Sequence, residues 1–387
     1  QTQLPVAGSK TRFKGRRLFR FGRVAPGEIR FCFHNWFIQA ASANPEIAGA
    51  TNVPVTKAAA VLNGVCVPVT ARSERSFTVP AGATEFVCDA LYPSDFGLAA
   101  FPPGADLEFR ILFDLAAGQN APASAQTFRP GWSQTYRGTP ADLPDDVDST
   151  GAMAATGASD AIGIFMPTCV LGRFATPFPS LLLIGDSIFD RQNDFGGLGD
   201  RGGGYAKRAA IAAGLPFFAM AQGGRIVDHQ NASPRCASIF GRFTDAHIQL
   251  GTNDIAFGRS VANNVIPGLR TLWQTLRQAG IGTILQSTLP PRTADNSFKC
   301  TDPAQMTPFV TQSSGGAGFG PGEARETFNT AALPAEIGIG EGPTMLFDFA
   351  AHCADAGQPW RWRVPAFATT LAAASLAGAN SVSLADA

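Results

Sequence analysis

Residues 180–190 read SLLLIGDSIFD. Leu181, Leu182, Leu183 and Ile184 follow one another without alternation and run into a small-acid-hydroxyl turn, the pattern of a strand buried on both faces of a parallel sheet. Ser187 therefore falls at the carboxyl edge of such a strand. In open α/β sheets ligands bind at that edge, so a serine delivered there by Gly185-Asp186 is a candidate nucleophile. By itself the same serine also suits the cap of a following helix.

Two downstream stretches repeat the design. In AHIQLGTND (residues 246–254) an apolar strand closes in Gly251-Thr252-Asn253-Asp254, and in FFAMAQGGR an apolar segment closes on Gly223 and Gly224. Three strand ends thus offer a hydroxyl, a backbone N–H unobstructed by a side chain, and a carboxamide. These are the donors that a tetrahedral oxyanion needs around the attacked carbon. The blocks Gly185-Asp186-Ser187, Gly223-Gly224 and Gly251 to Asp254, in this order, resemble the SGNH (GDSL-type) hydrolase superfamily. The resemblance covers about residues 180–350. It implies a flavodoxin-like three-layer α/β domain with a parallel sheet, Ser187 as nucleophile, and an oxyanion hole of the Ser187 N–H, the Gly224 N–H and the Asn253 side chain. Gly224 is taken over Gly223 because the family's glycine ends its block. No metal or cofactor is implied.

The rest of this half continues strand, helix, strand. Helices are expected over Tyr205–Gly214, Asn263–Gly280 and about Glu323–Leu333, and strands over 215–221, 283–290 and 344–349. DFGGLGDRGGG contains a G-x-G-x-x-G match at Gly197, Gly199 and Gly202. It does not join a strand directly to a helix and no acidic ribose partner follows, so a dinucleotide site is rejected in favour of a loop lining the cleft. No G-x-S-x-G elbow occurs, which excludes an α/β-hydrolase, and no long amphipathic lid argues for lipid substrates.

The family's closing Asp-x-x-His block is missing. Of the 4 histidines, His34 lies in a β-rich region, His247 within a buried strand, and His229 on the loop after Gly224. His352 follows the fifth strand, with Asp348 four residues before it, so His352 is the candidate base and Asp348 its candidate partner. The stretch TTLAAASLAGANSVSLADA from Thr369 suits either a final alanine-rich helix or an Ala-Gly-rich β segment of surface-protein type. On the second reading the missing block lies beyond Ala387, and the C-terminal edge needs a continuation or partner.

The 387 residues are enough for two cores, and 30 Lys+Arg balance 30 Asp+Glu. A net charge of zero gives no general pull toward nucleic acid. No apolar run reaches the roughly 20 residues of a membrane span. Gln1 opens among polar residues, as a mature secreted, virion or cytosolic chain would. Residues 1–27 form a basic arm bearing Lys10, Arg12, Lys14, Arg16, Arg17, Arg20 and Arg23. It is either a solvated face or a grip for an anionic partner or second copy.

Residues 28–175 alternate in short runs broken by turns, as in an antiparallel β-sandwich or jelly roll; within them 115–160 look like long loops, and 161–174 like a last strand. Residues 176–387 make the SGNH-like domain. The 7 cysteines show no C-x-x-C spacing, so no zinc site is expected. Cys66 with Cys88 and Cys300 with Cys353 are the pairs suited to disulfides in an oxidising setting; buried reduced thiols are the alternative.

Together these features give two functional expectations. One is a serine esterase acting on an acylated glycan or other small ester, outside the cytoplasm or on a virion. The other is a recognition or structural module that keeps the fold without the base.

Overall fold

The computed structural model describes residues 2–5, 10–38, 46–127, 133–155, 162–189, 204–294, 307–308, 318–355 and 358–362. The chain divides into two units, residues 1–179 with 210–216, and residues 180–209 with 217–387. Gly197, Gly199, Gly202, Cys300 and the segment from Thr369 lie outside the described residues.

The first unit is an antiparallel β-sandwich. Its largest sheet has six strands: Ser133–Gly138, Arg12–Arg20, Asp106–Asp114, Val53–Leu62 and Val65–Pro68 in spatial order, with Phe77–Val79 added on the Val53–Leu62 strand. Asn63 and Gly64, both at positive φ (50° and 79°), make the tight turn that joins Val53–Leu62 to Val65–Pro68. A three-stranded sheet of Cys169–Arg173, Glu28–Phe33 and Phe86–Val87 faces it. Alternation aims Leu107, Phe109, Ile111 and Phe113 at one core. There Phe109 meets Phe31 with ring centroids 4.6 Å apart, Phe33 stacks on Phe165 at 5.4 Å, and Phe113 stacks on Phe13 at 4.9 Å. The sequence has 30 phenylalanines and 3 tyrosines, and this core of apolar side chains takes up many of the phenylalanines.

The expected basic arm is not an arm. Arg12–Arg20 pairs along its whole length with Asp106–Asp114 and also with Ser133–Gly138. Its charges are consumed inside the unit: Arg12 binds Asp114, Arg16 binds Glu108, and Arg20 binds Asp106. Lys14 is fully buried, with Nζ donating to Asp146 Oδ1, Pro144 O and Ala154 O. Residues 115–160 are likewise not all loop, because Asn120–Thr127 and Ser133–Gly138 are strands. The expected last strand is two, Ile162–Ile164 and Cys169–Arg173. Cys66 and Cys88 are free thiols, Cys88 packed in the phenylalanine core.

In the second unit five parallel strands, β1 (Leu181–Gly185), β2 (Phe217–Ala221), β3 (Asp245–Gln249), β4 (Thr283–Ser287) and β5 (Met345–Phe347), lie in the order β2-β1-β3-β4-β5. Its helices include α1 (Tyr205–Ala212), α2 (Val227–Asn231), α3 (Thr252–Ala256), α4 (Ile266–Gln278) and α5 (Phe349–Cys353). Neighbouring residues of β4 point to opposite faces. Ser287 lies 3.0 Å from the hydroxyl of Tyr205 on α1, whereas Gln286 accepts from the buried indole of Trp273 on α4. Helices therefore cover both faces, giving the expected three layers. The helix expected near 323–333 is broken into Ala324–Thr327 and a wider turn over Phe328–Ala332.

Candidate functional site

The strand order brings the three sequence blocks to one edge. β1 lies between β2 and β3, with Gly185 level with Ala221 on one side and Gln249 on the other. Ser187 is two residues beyond Gly185, Gly224 three beyond Ala221, and Asn253 four beyond Gln249, all at the carboxyl ends. Gly224 has φ +75° and Gly251 φ +123°. Both turns leave the strand by conformations that a side chain resists, which is why glycines stand there. The second turn is tied to the third: Asn253 Nδ2 donates to the carbonyl of Arg225 at 3.1 Å, next to Gly224. The Val227 N–H, at the start of α2, donates to both carboxylate oxygens of Asp254 at 3.2 and 3.3 Å.

Asn253 is almost fully buried and held from both ends. While Nδ2 faces the Arg225 carbonyl, Oδ1 accepts from Arg292 Nη1 at 3.4 Å. Turned over, the amide would set oxygen against carbonyl oxygen and NH2 against guanidinium. The arrangement fixes Asn253 as a donor toward the Gly224 turn. Arg292 was missed at the sequence level; its one signal is a cation just past Leu289-Pro290-Pro291 at the end of a strand that shares this edge. The segment carrying it is itself anchored, since Arg325 Nε donates to the Leu289 and Pro290 carbonyls and Asn329 pairs with both the N–H and the carbonyl of Leu289.

Asp186, beside the serine, is buried and accepts from the Ile188 N–H at 2.9 Å. Burial pushes its carboxyl up to about 7, opposed by that N–H, by Arg292, and by Gln249 and Thr252. Asp186 Oδ2 and Gln249 Oε1 are both buried acceptors without a donor. Burial likewise raises Asp254 to about 7.

The imidazoles are distributed unevenly. His247 is buried on β3, its Nε2 2.6 Å from Ser287 Oγ and its ring against Phe189, Tyr205 and Phe347; desolvation lowers it to about 3. It is a structural residue, as expected from its place in a buried strand. His229 on α2 is half-buried, with its pKa lowered by burial and by Arg225. His352 is exposed near the end of α5 and stacks on Phe347 at 5.5 Å. Asp348 caps α5, its Oδ1 accepting from the Ala351 N–H at 3.1 Å and the Thr288 hydroxyl at 3.0 Å. Among the described residues Asp348 makes no hydrogen bond to His352, and Ser187 Oγ makes none to an imidazole. The expected Asp348–His352 pair is therefore not formed in this structure.

Comparisons with known proteins give structural likenesses only. No protein-family model matches the sequence, and no curated protein matches it. Among solved structures, the chain is similar to TesA (24% identity, TM-score 0.24, over 29% of this chain and 62% of that one). It is similar to a catalytic mutant of an acetylxylan esterase from Geobacillus stearothermophilus (21% identity, TM-score 0.24, over 29% and 60%). It also aligns with an active-site mutant of a family two carbohydrate esterase from Clostridium thermocellum (13% identity, TM-score 0.27, over 74% and 73%). The aligned part thus spans under two thirds of the first two. By its own strand order and the placing of its three blocks, the second unit is SGNH-like in fold. In that SGNH-like unit Ser187, Gly224 and Asn253 follow the ends of three adjacent strands, and Arg292, beyond a fourth, reaches Asn253.

Proposed function

We propose that the chain is a serine ester hydrolase of SGNH type. In the reaction Ser187 Oγ attacks an ester carbonyl, and the N–H groups of Ser187 and Gly224 with Asn253 Nδ2 receive the negative charge on the tetrahedral oxygen. The alcohol leaves, and water releases the acid from the acyl-serine. A histidine takes the serine proton and returns it to the leaving oxygen. His352 with Asp348 is assigned this role by chain position, and taking it up requires a rearrangement of the end of α5. The supporting observation is the convergence of Ser187, Gly224 and Asn253 on one sheet edge with the asparagine amide locked as a donor. The substrate assigned is an O-acetyl or other small acyl ester on a carbohydrate, met outside the cytoplasm or at a virion surface; the appended β-sandwich suits glycan binding by analogy of architecture.

The test is labelling by a fluorophosphonate together with turnover of an aryl acetate. The expected result is labelling and turnover that Ser187→Ala abolishes and that His352→Ala lowers by about 10²-fold or more. Absence of both in folded protein would overturn the proposal. A second reading, a non-catalytic recognition module of a virion or cell surface, is favoured by one observation, the lack of a hydrogen bond from Ser187 to any imidazole among the described residues. It requires that wild type and Ser187→Ala be indistinguishable in turnover.

A further inference from the structure

The first unit gathers a second set of reactive side chains on one face of its three-stranded sheet. Phe31 and Phe33 of the Glu28–Phe33 strand point into the phenylalanine core. Alternation turns Cys32 and His34 to the opposite face, and both are buried. Register supplies two more groups on that face. Cys169 stands directly opposite Cys32 on the Cys169–Arg173 strand. On the other side Phe33 is opposite Phe86, so Glu85 comes level with His34. Residues directly opposite share a face.

The atoms meet as the register demands. Cys32 Sγ lies 3.6 Å from His34 Nε2 and 3.7 Å from Glu85 Oε1. The ligand atoms of Cys32, His34 and Glu85 all fall within 4.8 Å of one another. In a tetrahedral zinc site, bonds of about 2.3 Å to sulfur and about 2.0–2.1 Å to nitrogen or oxygen place sulfur roughly 3.5–3.6 Å from its neighbours. The two observed separations are the edges of such a tetrahedron.

The geometry points to a zinc site in the β-sandwich, with Cys32, His34 and Glu85 as its protein ligands. It is independent of the ester chemistry assigned to the other unit. The sequence hid it because zinc motifs are recognised as C-x-x-C pairs, whereas these ligands are a C-x-H at the end of one strand and a single residue just before its neighbour. Such a site would tie Glu28–Phe33 to the two-residue strand Phe86–Val87.

The test uses the full chain purified without chelator. The expected result is about one zinc per chain by elemental analysis. After exchange, Co(II) should give the intense visible bands of tetrahedral coordination with thiolate-to-metal charge transfer. Cys32→Ser should lose both, whereas Cys236→Ser, a buried thiol of the other unit, should keep them. Should Cys32→Ser not fold, Glu85→Gln at a half-buried position should weaken Co(II) binding by at least about tenfold. Metal at background level in protein with all thiols reduced overturns the proposal. So does a Cys32–Cys169 disulfide found by peptide mapping of freshly isolated protein, or a Glu85→Gln variant with unchanged affinity and spectrum.

Discussion

His247 Nε2 and Ser287 Oγ are 2.6 Å apart in the interior of the SGNH-like unit, and the same hydroxyl is 3.0 Å from Tyr205. The three groups form a buried chain that links α1 to two strands. Desolvation holds the imidazole neutral, at about 3. Unfolding returns it to its ordinary value near 6.5, so between these limits the unfolded chain binds a proton that the folded one does not. Stability should fall as pH drops from about 6.5 toward 3, by a few kcal/mol at about 1.4 kcal/mol per pH unit. Urea titrations across this range should show a smaller pH slope for His247→Gln than for the wild type.

Asp186 has the opposite sign. Its folded value of about 7 lies above the ordinary 3.8. The stability it contributes is complete below about pH 4 and is lost as pH rises through 7. Asp186→Asn is nearly isosteric and removes the ionisation, and should be more stable than wild type above pH 7 and lose this part of the pH dependence in the same titrations.

Arg292 is expected to act through Asn253. Replacing it with Gln removes the charge that fixes the amide oxygen, leaving the asparagine free to turn over. For an aryl acetate substrate kcat should drop by about 10- to 100-fold with little change in KM, because the lost contact serves the transition state. Asn253→Ala should cost at least as much, and the double variant little more than Asn253→Ala. A purely structural role for Arg292 would instead appear as a lowered melting temperature with kcat retained.

Gly224→Ala forces a Cβ into a left-handed conformation at φ +75°. The cost should be about 1–2 kcal/mol in denaturant unfolding, and displacement of its N–H should reduce kcat by about 10²-fold. Gly223→Ala, whose φ is outside that region, provides the comparison and should be milder in both measurements.

Lys14→Met removes a buried ammonium and leaves Asp146 and two carbonyls without it. Breaking a buried pair from one side should destabilise the β-sandwich by about 3–5 kcal/mol. Lys14→Arg should recover only part, since a planar fork does not match three acceptors converging on one point. Melting followed by tryptophan fluorescence and circular dichroism measures both.

The sequence was most legible where burial is complete. The Leu181–Ile184 run, the strand of His247 and the apolar face of Leu269, Leu272, Trp273 and Leu276 declared their elements, and the turns after three strands declared the candidate site. It was least legible where charge and burial coincide. Arg12–Arg20 looks like a solvated arm because Lys14 and Arg16 are charged, yet each finds its carboxylate more than ninety residues away. Asn120–Thr127 lacks large side chains, and its strand identity comes from backbone pairing with Thr2–Pro5 and Ile162–Ile164. Arg292 and the Tyr205–Ser287–His247 chain depend on contacts between distant segments, and no local periodicity carries them.

The position of Arg12–Arg20 has a consequence for how the molecule is made. Both of its hydrogen-bonded neighbours, Asp106–Asp114 and Ser133–Gly138, emerge from the ribosome far later. An early strand bearing five cations must wait, unpaired, for about a hundred residues of synthesis before its sheet can close, an interval of several seconds at ordinary elongation rates. Loop closure over such a span is slow, and the sandwich should mature late and cooperatively. The positive charge that looks like a binding feature in the sequence then keeps the nascent edge in solution until its partners arrive.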